Sequence, residues 1–157
     1  MDKLIIRLSE AVGIVCLIAF IIFVSSDNEM SRTGPGYLSE QVIASADTEG
    51  LILRDDLFLK KKYALDAERL EYGILYSSDS VMDVREYMLL KPESGYEKEA
   101  LEAIEKVLTE KQTLFEDYAP KESALLSSRV LTAEKGYILL AIGNDAAQIL
   151  DIFRNNL

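Results

Sequence analysis

The side chains able to do chemistry in this sequence are 27 carboxylates, 17 lysines and arginines, eight tyrosines and a single cysteine, Cys16; histidine is absent. Without histidine there is no Ser-His-Asp or Cys-His nucleophile, no His-ligated zinc and no imidazole base. One cysteine excludes an intramolecular disulfide framework and a cysteine-cluster metal site. Paired-carboxylate chemistry and a Ser-Lys dyad remain. Glycoside hydrolysis needs two carboxyl groups about 5–9.5 Å apart, one with a raised pKa. No carboxylate reads as sitting in the apolar context that would mark it for that role. A Ser-x-x-Lys motif is absent: Ser80 stands three residues after Ser77, and Glu97 three after Ser94. Asp79-Ser80-Val81-Met82-Asp83 lacks the alternating oxygen ligands and the glycine of a calcium loop, and there is no Gly-rich phosphate loop. The expectation is a protein without catalytic residues, metal or cofactor. Its expected surface site is the 77–86 loop together with the end of a long helix. The candidate residues are Asp79, Asp83, Glu86, Glu116, Asp117 and Tyr118, where carboxylates and a phenol can converge.

The elements that would position this loop follow from periodicity. Glu71–Tyr76 alternates as a strand with Tyr72, Ile74 and Tyr76 on one face, and Val84–Lys91 reads as a second strand after the Ser77–Ser80 turn. A helix is predicted over 95–118, opened by a Ser94/Glu97 capping box. Ala100, Leu101, Ile104, Val107, Leu108, Leu114, Phe115 and Tyr118 form its apolar stripe. Pro120 ends it by pushing Ala119 out of the α region. A helical turn over Lys121–Ser127 precedes a strand at Arg129–Ala133, a Glu134-Lys135-Gly136 turn and an almost wholly apolar central strand at Tyr137–Ile142. Gly143-Asn144-Asp145 opens the last helix, with Asp145 and Gln148 in capping-box register. Upstream, helices are predicted at 37–46 and 56–63. Asp55 or Asp56 can cap the second, and Lys60-Lys61-Lys62 suits the negative end of its dipole. The expected fold is α+β. It is a small two-layer domain whose β-β-α-β-β-α core forms a mostly antiparallel four-stranded sheet with helices on one face.

The N-terminus has a different character. Residues 11–24, AVGIVCLIAFIIFV, carry no polar side chain. Reaching back to Leu4 gives 21 residues broken by Arg7, Ser9 and Glu10, within the length of a membrane span. Residues 1–24 are expected to be a transmembrane signal-anchor or a cleaved signal peptide, with residues 25–36 as a polar linker and 37–157 as the globular domain. Lys3 and Arg7 precede the span, and Arg32 alone represents basic residues in the twenty positions after it. The N-terminus is therefore expected in the cytoplasm and the domain outside a single-pass cell-membrane tether. From Asp27 onward 25 acidic and 15 basic residues account for all of the net charge of -10. Such a surface disfavours nucleic acid as a partner.

Several short stretches resemble a domain-of-unknown-function family, number 4358 in that series, found in exported and often lipid-anchored proteins of Gram-positive anaerobes. They are Tyr63-Ala64-Leu65-Asp66 with Leu70 and Tyr76, Met82-Asp83-Val84-x-Glu86 running to Lys91, Phe115-x-x-Tyr118-x-Pro120, and Gly136-Tyr137-Ile138 with Asp145. The resemblance spans about Leu57 to Phe153 and implies an extracytoplasmic domain on a membrane tether, with no reaction attached. Cys16 departs from the lipid-anchored members, because Gly13-Ile14-Val15 is not a lipidation box. The expected function is a membrane-tethered module that binds a protein at the outer face of the membrane or assists envelope assembly. The alternative is a binder of small molecules or cell-wall fragments, with or without carboxylate-based hydrolysis.

Overall fold

Two strands that lack a polar face decide the architecture. In the computed structural model, which describes residues 33–157, all six side chains of Tyr137–Ile142 are buried, as are six of the seven of Glu86–Pro92. Successive strand residues point to opposite faces, so a strand apolar throughout needs cover on both. Ile138, Leu140 and Ile142 enter one core cluster with Met88 and Leu90, while Tyr137, Leu139 and Ala141 enter another with Tyr87 and Leu89.

In chain order the elements are α1 (Pro35–Ala44), β1 (Ile52–Leu53), α2 (Asp56–Tyr63), a 3-10 turn (Ala67–Arg69), β2 (Leu70–Ser77), β3 (Glu86–Pro92), α3 (Glu97–Glu116), α4 (Pro120–Ser127), β4 (Val130–Glu134), β5 (Tyr137–Ile142) and α5 (Ala146–Asn156). The sheet runs β1-β2-β3-β5-β4 and every pair is antiparallel. On one face α2, α3 and α4 contribute Leu59, Tyr63, Ala100, Ile104, Leu108, Phe115 and Leu126. On the other, α1 and α5 contribute Leu38, Val42, Ala146, Ile149 and Phe153.

The α+β class and antiparallel sheet hold, but the sheet has five strands rather than four and the domain three layers rather than two. The extra strand is β1, in which Ile52 pairs with Ser77 and Leu53 with Tyr76. Two exposed residues carry no periodicity for a sequence reading to find. The helices are on both faces because β3 and β5 are apolar on both.

Local signals were obeyed unevenly. Asp55 caps α2 by accepting from the Phe58 amide at 2.9 Å, and Ala64 closes the helix in the left-handed region at φ 57°. Ala119 leaves the helical region before Pro120, which becomes the first residue of α4. Pro35 plays the same part in α1, so that helix starts two residues before the expected linker boundary. The Ser94/Glu97 capping box does not form: Tyr96 is the cap residue of α3 and makes no side-chain cap bond. Leu114 and Tyr118, expected in the α3 stripe, are exposed. At 100° per residue Leu114 falls off the face shared by Ile104, Leu108 and Phe115. Among the described residues no helix is long and apolar enough to cross a membrane. The expected span at 4–24 and most of the 25–36 linker lie outside the described residues.

Candidate functional site

The eight-residue connection from β2 to β3, residues 78–85, forms the centre of the candidate site. Its backbone is held by its own short polar side chains. The Ser78 Oγ accepts from the Ser80 amide at 3.0 Å, and the Asp83 carboxylate accepts from the Arg85 amide at 3.0 Å. Asp83 and Arg85 then meet as a fork, Nε to Oδ1 at 3.1 Å and Nη2 to Oδ2 at 2.8 Å. This holds the Asp83 carboxyl below the usual carboxylate range.

Arg85 also reaches across to the segment before β1. It donates to the Asp47 carboxylate at 3.2 Å and to the Glu49 carbonyl at 3.2 Å. The Asp47 amide donates to Asp145 Oδ2 at 2.8 Å, and the Tyr87 hydroxyl donates to Asp145 Oδ1. Asp145 therefore does not cap α5 with its side chain, as its capping-box register suggested. Its carboxylate is committed to the other end of a chain running Asp83–Arg85–Asp47–Asp145–Tyr87. At the far side of the loop, Arg54 pairs with Asp79 at 2.7 Å, donates to Ser77 Oγ at 2.9 Å and lies 4.5 Å from the Phe58 ring centre. The loop is braced on both flanks, and between the braces Val81 and Met82 stand out into solvent, 83% and 47% exposed.

Two grooves flank the loop. One, of about 460 Å³, is lined by Asp47, Asp83, Arg85, Lys121, Glu122 and Asn144 among others. The second, of about 330 Å³, lies between the loop, α2 and α3. Four cations line it, Arg54, Lys62, Arg85 and Lys111, together with Asp79, Asp83 and Glu86. Glu86 is fully buried at the start of β3. Its carboxylate accepts from Lys62 Nζ at 2.5 Å and from the Tyr63 hydroxyl at 2.7 Å. Burial, and then the Glu86 charge, push the Tyr63 phenol well above its ordinary range. Lys111 comes from α3. Desolvation, and then repulsion from Lys62, hold its amine below the ordinary lysine value.

Of the six expected site residues, Asp79, Asp83 and Glu86 line this groove. Glu116, Asp117 and Tyr118 line neither groove and share no hydrogen bond or ion pair with the loop. They belong to the exposed end of α3, where Tyr118 is 59% exposed and its ring lies 5.4 Å from Phe115. Glu86 is not a surface carboxylate either, since a place in an apolar strand buries it. Lys62 and Lys111 were not expected as site residues. The triplet Lys60-Lys61-Lys62 does occupy the last turn of α2, yet only Lys62 turns inward. Lys111 carried a readable signal. It falls three residues after Leu108 and four before Phe115, on the buried face of α3. A lysine on an apolar face is a long stem with its charge held at the edge of the core. Among the described residues no group of three or more acidic or cysteine side chains could hold a metal ion.

Comparison with known proteins places the chain. No curated protein and no solved structure matches it. A family model does, over residues 44–143. The match takes in β1 to β5 and both braces of the loop except Asp145, beginning earlier and ending earlier than the resemblance suggested. It covers well over half of the 157 residues, and the chain belongs to the family described as Domain of unknown function (DUF4358).

Proposed function

We propose that this protein is a non-catalytic binding module, tethered to the cell membrane through residues 4–24. Its domain stands on the outer side and presents the 78–85 loop to a protein partner. One observation carries the reading. Val81 and Met82 are exposed apolar side chains on a loop whose flanks are fixed by ion pairs, at 2.7 Å from Arg54 to Asp79 and 2.8 Å from Arg85 to Asp83. A disordered loop would lose conformational entropy on docking, whereas a braced one has already lost it in folding. Exposed apolar side chains held rigid and ringed by charge have the anatomy of an interface centre with a polar rim. Ile52, Leu53 and Leu57 are further exposed apolar residues on the β1–α2 segment that Arg54 ties to the loop. Carboxylate-based hydrolysis fits less well. A general acid needs a raised pKa, and Asp83 is shifted the other way by Arg85.

Site-specific photo-crosslinking in cells tests the proposal. A photoreactive residue at position 81 is expected to yield one discrete protein adduct, and the same residue at position 98, where Lys98 is 87% exposed, none. Asp83→Ala should reduce the position-81 yield by loosening the brace. No adduct from position 81, or the same adducts from both positions, would overturn it.

A further inference from the structure

We infer that the groove between the loop, α2 and α3 is a binding site for a small monocarboxylate with a short apolar body, and that Lys111 receives its carboxylate.

Charges inside the groove are mostly matched. Of its four cations, three already have a carboxylate: Arg54 with Asp79 at 2.7 Å, Lys62 with Glu86 at 2.5 Å, and Arg85 with Asp83 at 2.8 Å. Lys111 makes no ion pair or hydrogen bond among the described residues, and Glu86 and Asp83 act on its charge only from further away. Four cations thus stand against three carboxylates in the groove lining, with Asp47, outside this groove, sharing Arg85 at 3.2 Å. One unmatched cation selects one negative charge. A dianion would leave a charge unpaired between Asp79, Asp83 and Glu86.

Shape and chemistry narrow the ligand further. A volume of about 330 Å³ is at the small end of ligand sites. Its walls include the Phe58 ring and the Val81 side chain beside the cations, so an apolar body has a surface to lie on. The amine is partly desolvated, and a carboxylate would supply a charge-assisted bond that no protein group among the described residues makes to it. The depressed affinity of Lys111 for its proton agrees with this: the site pays for a charge it does not yet use. This inference does not depend on the docking reading, because it rests on Lys111 and the groove rather than on the outward faces of Val81 and Met82.

Benzoate and its neutral isostere benzamide are the probes, titrated into the full chain in lipid nanodiscs by calorimetry at neutral pH. Saturable benzoate binding is expected, with benzamide at least tenfold weaker. Lys111→Met, which keeps the apolar stem against the core, should abolish that preference while the thermal transition is retained. The unaltered chain provides a second reading that needs no variant. Lys62 on α2, Glu86 on β3 and Asp83 on the loop act on the Lys111 amine, and Asp79, Arg85 and Arg54 are the other charged groups lining the groove. Among these, Arg85 holds its proton more tightly than usual and Asp83 less tightly, so neither changes charge in the alkaline range. The benzoate preference should therefore fade as pH rises through the lowered Lys111 value, before ordinary lysines titrate. Equal binding of the two probes, no binding of either, or a preference that survives Lys111→Met would overturn the assignment.

Discussion

At Gly143 a hydrogen atom in place of a methyl group lets two elements meet. A Cβ there would lie 2.1 Å from the Tyr87 hydroxyl oxygen and 2.6 Å from Asp145 Oδ1. Both atoms belong to the hydrogen bond that joins β3 to the start of α5 and, through Asp47, to the loop brace. Gly143→Ala should therefore lower stability by about 2–3 kcal/mol through overpacking and a disrupted charged hydrogen bond. Tyr87→Phe removes the nearest oxygen. The double variant measured by urea unfolding should be more stable than the two single effects summed, and strict additivity would refute the steric account. Asp83 makes a separate residue-scale prediction. Arg85 holds its carboxyl below 3.8, and Arg154 holds that of Glu134 below 4.5. Both groups bind a proton less readily folded than unfolded. Their stabilisation is fully present above those ordinary values and disappears as pH falls through the lower folded ones. Urea midpoints should thus fall on acidification below about pH 5. Asp83→Asn should lower the unfolding free energy at neutral pH by about 1 kcal/mol and flatten that acid limb; an unchanged acid limb would show that the Asp83–Arg85 fork contributes nothing.

Among the elements, the β4–β5 hairpin carries an identifiable local defect. Glu134 pairs with Tyr137 across a two-residue turn, in which Lys135 and Gly136 both have positive φ, 50° and 82°. That is the turn twist a hairpin favours, and glycine suits its second position. Lysine suits the first poorly, whereas asparagine tolerates the left-handed region. Lys135→Asn should stabilise by about 0.5–1 kcal/mol, read as a higher thermal midpoint with the fold unchanged; a lower midpoint would mean that the lysine has a contact worth more than the strain. Elements with local causes were legible in the sequence. The Tyr137–Ile142 strand and the helix over 56–63 have the predicted limits, because an apolar run and an aspartate cap are local signals. What was not legible depended on distant residues. β1 is defined by β2 rather than by its own two residues, and the third layer follows from β3 and β5 being covered twice. The loop was legible as a candidate site because its carboxylates cluster in sequence. Lys62 and Lys111 were passed over because a charged residue on a helix ordinarily reads as solvated, and only α2 and α3 packed against β3 bring the two to one groove.

For the whole molecule, the average composition conceals a division. An apolar N-terminal run precedes an acidic α/β/α domain that carries the net negative charge. Within that domain the loop between β2 and β3 gathers arginines and lysines, so a groove lined by four cations lies beside the exposed side chain of Val81. The central claim is that this loop stands outside the cell membrane and is covered by a partner. The direct test is the labelling rate of Val81→Cys by a membrane-impermeant maleimide, in a Cys16→Ser background with Lys98→Cys as the reference. The account predicts that both sites react fast in the purified chain. On intact protoplasts Lys98→Cys should react as fast as before, and Val81→Cys several-fold more slowly. Labelling of either site only after lysis would put the domain on the other side of the membrane, and equal rates at the two sites on protoplasts would mean that nothing covers the loop.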